Sequence, residues 1–174
     1  VKINGKSAGP IHQGGFYRFR YDISELVKYG DNNLLEVKVS KMSSDSTINE
    51  AERAGDFWIF GGIYRPVYLE ARPVEHLRHI AIAAEADGSF ALTTQLNGIK
   101  NADRLRVTLL DAQGETVGKP LDAALTPEQE SATVKTKVAA PKTWSAESPT
   151  LYNARVELLR DQQILHSSTK RFGF

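Results

Sequence analysis

The sequence predicts an all-β chain built as two β-sandwiches, and three features carry that expectation. Apolar and polar residues alternate in short runs, as half-buried strands require. Turn-forming pairs such as Asn4-Gly5, Asp87-Gly88, Asn97-Gly98 and Gln113-Gly114 separate the runs. After Pro73 the runs come at even spacing, seven of them in about 100 residues, which is the pattern of an immunoglobulin-like sandwich.

Taken in order, residues 1–3 read as the remnant of a strand, so the chain is expected to begin inside a domain. Asn4 and Gly5 both tolerate positive φ, and they turn the chain back into a short hairpin over residues 6–9. A loop then leads to an aromatic strand carrying Phe16, Tyr17, Phe19 and Tyr21. Asp22-Ile23-Ser24-Glu25 has the spacing of a capping box and opens one helical turn, which Gly30-Asp31-Asn32 ends. Leu35, Val37 and Val39 alternate with Glu36 and Lys38 as a strand. Residues 40–55 are polar and irregular, long enough for a functional or mobile connection.

The first half is organised around residues 56–73. Phe57, Trp58 and Phe60 crowd the start, Gly61-Gly62 supplies backbone freedom for a sharp turn, and Val67, Leu69 and Ala71 alternate with Tyr68, Glu70 and Arg72 as a half-buried strand that Pro73 stops. The ordinary fate of such aromatics is to plug the end of a sandwich. Beyond Pro73 the expected strands are 77–84, 90–96, 105–110, a weaker one within 117–125, 133–138, 152–159 and 164–171. Residues 126–130 are compatible with a helical turn.

Composition narrows the function. The chain has 22 basic and 21 acidic residues among 174, a formal net charge of +1, so no long-range field draws nucleic acid or an anionic membrane. No apolar run reaches the ~18 residues of a membrane helix. Cysteine is absent, which excludes disulfides, thiolate metal sites and a Cys nucleophile.

The wording of residues 56–73 closely resembles the end of the N-terminal sugar-binding domain of glycoside hydrolase family 2, which contains β-galactosidases, β-glucuronidases and β-mannosidases. Four further stretches fall in the family's order: Ile3-Asn4-Gly5-Lys6; His12-Gln13-Gly14-Gly15-Phe16; Tyr21-Asp22-Ile23 with Asn32-Asn33-Leu34-Leu35-Glu36-Val37; and Trp144-Ser145-Ala146-Glu147-Ser148-Pro149-Thr150-Leu151-Tyr152. The resemblance implies a truncated galactose-binding-like jelly roll over residues 1–73, followed by an immunoglobulin-like sandwich over residues 74–174. It implies the non-catalytic N-terminal region of a retaining β-glycosidase acting on glycans, inactive alone because the catalytic TIM barrel would follow Phe174. The implied partners are carbohydrate and that barrel of the same polypeptide, with neither nucleic acid nor membrane, and exposed strand edges give a route to association. Such a parent would be periplasmic or secreted. A stand-alone carbohydrate-binding module and a structural sandwich protein remain the alternatives.

Asp56 is the candidate site residue that the resemblance supplies. In the family's β-galactosidases an Asp beside an aromatic pair, just before the Gly, contacts the sugar and a bound sodium ion, and Asp56-Phe57-Trp58 aligns with that position. Asp56 is thus expected to bind substrate and to ligate sodium in the full-length parent, with no cofactor belonging to this chain alone. The other reading is a loop Asp that caps a turn or pairs with Arg53 or Arg65. Asn49-Glu50 echoes the family's acid/base dipeptide but stands in the wrong domain, so we read it as coincidence. His12, His76, His79 and His166 show no metal-ligand spacing, and His12 is expected to pack or bond near Gly14-Gly15. Trp58 and Trp144 are the aromatic faces on which a sugar could stack, and Trp144 is expected in the core of the second sandwich.

Overall fold

A computed structural model describes residues 1–15, 17–55 and 60–174. The described residues are all-β apart from one helix, and the chain divides into two compact units, Val1–Leu69 and Glu70–Phe174.

In the first unit, β1 (Lys2–Ile3), β2 (Lys6–Ser7) and β3 (Leu35–Glu36) form an antiparallel sheet in the order β2-β1-β3. Asn4 (φ 51°) and Gly5 (φ 79°) both occupy the left-handed region, and this pairs Lys2 with Ser7 and Ile3 with Lys6, as the Asn-Gly signal predicts. The Asn4 side chain does more than turn the chain. It donates to Leu26 O (3.0 Å) and Asn33 Oδ1 (2.8 Å) and accepts the Leu34 N–H (3.0 Å), so that β3 is held in register beside β1. At Asp22 the carboxylate accepts the Ser24 N–H, and Val27 N–H donates to Ile23 O, giving the expected capped turn.

Three expectations for this unit fail. Residues 17–21 form no strand; Phe19 instead stacks on His12 (4.2 Å) and meets Tyr21 edge-on, while Tyr21 OH donates to Pro10 O. The connection over 40–55 contains α1 (Ser46–Arg53), whose N-cap Asp45 accepts from both Thr47 N (2.9 Å) and Thr47 Oγ1 (2.7 Å). Residues 67–71 carry no ladder, and the alternation is not expressed as burial, because Leu69 is 80% exposed and Tyr68 is exposed as well. The cause is common to the strand failures. A strand exists only where a neighbour takes its N–H and C=O groups, and β1 offers β3 two residues of partner, which leaves Val37 and Val39 exposed.

The second unit is a complete sandwich. β4 (His76–Ala84), β5 (Ser89–Asn97) and β8 (Ser131–Lys137) form one sheet in the order β4-β5-β8; β6 (Arg104–Leu110), β7 (Leu121–Ala124), β9 (Tyr152–Arg160) and β10 (Gln163–Phe172) form the other in the order β10-β9-β6-β7. All seven expected strands are present, each with an antiparallel partner. Their alternate residues, among them Phe90, Leu92, Leu105, Val107, Val156 and Leu158, fill the space between the sheets, and Phe90, Tyr152, Phe172 and Phe174 close one end. Residues 126–130 make a turn, not a helical one, since Glu128 has φ 65° and Gln129 Oε1 accepts the Thr126 N–H. No helix among the described residues is long and apolar enough to cross a membrane.

Candidate functional site

Asp56, with Phe57, Trp58 and Ile59, lies outside the described residues, so its surroundings are known only from what flanks it. On the N-terminal side the flank is firmly built. Asn49 clasps Ser43 through both main-chain groups, accepting its N–H and donating to its O (2.8 Å each), and Arg53 reaches Lys41 O. Thr47 bonding holds the Asp45 carboxyl below its ordinary range, so the cap stays charged in neutral water. On the C-terminal side Gly61 faces Lys41, and Gly62 (φ 108°) takes a turn that a side chain would strain. Phe60 is 88% exposed, and Arg65 lies over the exposed Tyr64 ring, 5.3 Å from its centroid. The flanks thus present aromatic faces and a guanidinium to solvent, the groups that stack on sugar rings and bond their hydroxyls.

The remaining sequence candidates separate clearly. Asn49 is occupied by Ser43, and Glu50 accepts the Ala54 N–H at its main-chain oxygen on an exposed helix, so the dipeptide serves α1. His12 bonds Gly14 O through Nε2 (2.9 Å) and stacks on Phe19, the structural role expected of it. Trp144 departs from expectation: it is 53% exposed. Its N–H donates to Phe174 O and its backbone bridges Pro149, so the main chain is fixed while the side chain lies against Gly173, outside the core. Among the described residues no group of three or more His, Asp or Glu could hold a metal ion.

Two polar constellations escaped the sequence reading. Glu75 accepts the N–H groups of Lys100, Asn101 and Ala102 on Oε2 (2.9 Å each) and Asn101 Nδ2 on Oε1 (2.8 Å). Partial burial works against the charged form, but these four donors outweigh it and carry the carboxyl down to about 2. The second is His76 and His166, whose rings meet edge to face with centroids 6.1 Å apart. A surface hollow of about 780 Å³, lined by Arg78, Gln95, Asn97, Lys100 and Glu128 among others, contains no aromatic ring and so offers no stacking face for a sugar.

Comparison with known proteins covers the chain from end to end. A family model described as glycosyl hydrolases family 2, sugar binding domain, matches residues 1–73, and one described as glycosyl hydrolases family 2 matches residues 74–174. A protein of Formosa agariphila named for β-glucuronidase activity is 33% identical over 180 residues, spanning 100% of this chain and 21% of its own length. A β-galactosidase of Thermoanaerobacter pseudethanolicus is 28% identical over 99% of this chain and 24% of its own. A crystal structure of Bacteroides uniformis β-glucuronidase superposes with TM-score 0.80 at 25% identity, over 99% of this chain and 22% of that one. The chain therefore spans about a fifth to a quarter of these relatives.

Proposed function

The chain belongs to glycosyl hydrolase family 2, and from that premise we propose that it is the non-catalytic, sugar-facing region of a retaining β-glycosidase that removes a terminal β-linked sugar from glycans. The observation that carries this reading is the ordered match of both family models over residues 1–73 and 74–174. A retaining mechanism requires an acid and a nucleophile about 5 Å apart on a rigid frame. The one dipeptide that imitates that acid stands on helix α1 of the first unit, with the Asn49 side chain bonded to Ser43. Chemistry is thus assigned to the barrel that follows these domains in the family.

Within this reading Asp56 is the residue through which the chain meets the sugar. Its short carboxylate would accept charge-assisted hydrogen bonds from hydroxyls, in a segment that the exposed Phe60 follows. A sodium ion near Asp56 would supply a fixed charge that orients a hydroxyl oxygen. We place the parent in the periplasm or outside the cell, where polymeric glycans are met. The exposed Phe60 and Tyr64 favour a second reading, a carbohydrate-binding module that works without the barrel.

The test is to express the gene that encodes this chain and to assay its product on aryl β-glucuronides, β-galactosides and β-mannosides, with the 174-residue chain in parallel. Turnover by the product and none by the chain supports the proposal. Millimolar or tighter sugar binding by the chain, with no hydrolase in the gene product, supports the module.

A further inference from the structure

The second unit is entered through residues 70–77, and one contact of that segment ends on an imidazole. β4 and β10 are edge strands of different sheets that run against each other. Both lose regular register at the same place, β4 between Leu77 and His79 and β10 between Ile164 and His166. Leu77 is 3% exposed, so its outward N–H is removed from water and needs a protein acceptor. His166 Nδ1 provides it at 3.2 Å. Since Nδ1 accepts, the ring proton must sit on Nε2 and the ring must be uncharged. Around this bond, Arg72 donates to Leu77 O and Arg78 O and pairs with Glu70, and His76 Nδ1 bonds Pro73 O (2.8 Å).

We propose that His166 is a pH-operated latch at Leu77: uncharged, its ring accepts the Leu77 N–H and ties β4 to β10 at that point; protonated, it loses that acceptor and frees this contact, while Glu75 keeps its own bonds to residues 100–102. Protonation would turn Nδ1 into a donor facing a donor. It would also set a cation before His76 of β4 and Arg72 of the entry segment, with Glu70 the opposing charge among the described residues, while on β9 the register partner is the apolar Leu158. Burial, then His76, then Arg72 hold His166 below its ordinary 6.5. The folded chain therefore binds the proton less readily than the unfolded chain, and the latch is complete above about pH 6.5 and is lost as the pH falls through the folded value.

The experiment uses the 174-residue chain. Long-range proton–nitrogen correlation spectra report the His166 tautomer and its midpoint, and exchange of the Leu77 amide, corrected for its intrinsic pH dependence, reports the latch. The expected result is the Nε2–H tautomer at neutral pH, a midpoint below 6.5, and a loss of Leu77 protection of about tenfold that tracks the midpoint. In His166→Gln, whose carbonyl still accepts but does not titrate, Leu77 protection should not vary over that range. An Nδ1–H tautomer, Leu77 protection indifferent to His166 protonation, or the same loss in His166→Gln overturns the proposal.

Discussion

Replacing Glu75 by Gln probes how one carboxylate organises the start of the sandwich. In the native chain three main-chain N–H groups converge on Oε2 and one side-chain amide meets Oε1. Glutamine keeps the shape and one acceptor oxygen, but it removes the charge and places its own NH₂ opposite Asn101 Nδ2. The carboxyl is lowered from 4.5 to about 2. At about 1.4 kcal/mol for each pH unit between folded and unfolded values, that interval sets a ceiling of ~3.5 kcal/mol. Water at the half-buried site screens part of it, so a loss of about 1.5 kcal/mol is expected. For a unit of this size, that loss lowers Tm by roughly 6–12 °C. Because the folded pKa is depressed, the contribution is present above pH 4.5 and fades as the pH falls toward 2. Thermal melts followed by near-ultraviolet circular dichroism, at pH 7 and at the lowest pH where the native chain stays folded, measure both aspects. An unchanged Tm at pH 7 would refute the argument, as would a deficit that stays the same when the pH is lowered.

Thr94→Val tests a second buried bond. Thr94 Oγ1 lies in the core and donates to His79 O, where β4 loses its regular register, so valine removes that buried bond and should cost about 1 kcal/mol or more in urea unfolding; a neutral substitution would show that the bond contributes nothing. Gly88→Ala should destabilise by more than ~3 kcal/mol, because Gly88 has φ 86° and an added Cβ would collide with Val138 O; a folded variant with native Tm would contradict the turn geometry. Asp56→Asn in the parent should lower kcat/KM about thirty-fold, or ~2 kcal/mol, while leaving Tm unchanged, and a variant that melts early yet hydrolyses normally would return Asp56 to a structural role.

What could be read from the sequence divides along a physical line. The strands of the second unit are set by local alternation and by turn pairs whose conformations need nothing from afar: Gly88, Gly98 and Gly114 all carry positive φ where the turns were expected. Strands in the first unit depend on partners, and alternation at Val67 and Leu69 is only a propensity until another strand accepts its hydrogen bonds. Helix α1 was missed because its signal is one Asp45 cap before a short polar segment that buries none of its residues. Trp144 was misplaced because aromatic character predicts burial only on average. Glu75 and His166 were invisible because their partners lie 25–27 and 89 positions away, a distance that no local pattern reports. The family motifs carried Asp56, and no local rule would have chosen it from 21 acidic residues.

The most direct test of the account is the anomer released. Proton spectra recorded during hydrolysis of an aryl β-glycoside by the parent enzyme should show the β-sugar first, with the α-anomer appearing only by mutarotation, as two carboxyls acting in a retaining mechanism require. Under the same conditions the 174-residue chain should release no sugar. Initial release of the α-anomer, or turnover by the chain itself that disappears in Glu50→Gln, would contradict the assignment of this chain as the non-catalytic region of a retaining β-glycosidase.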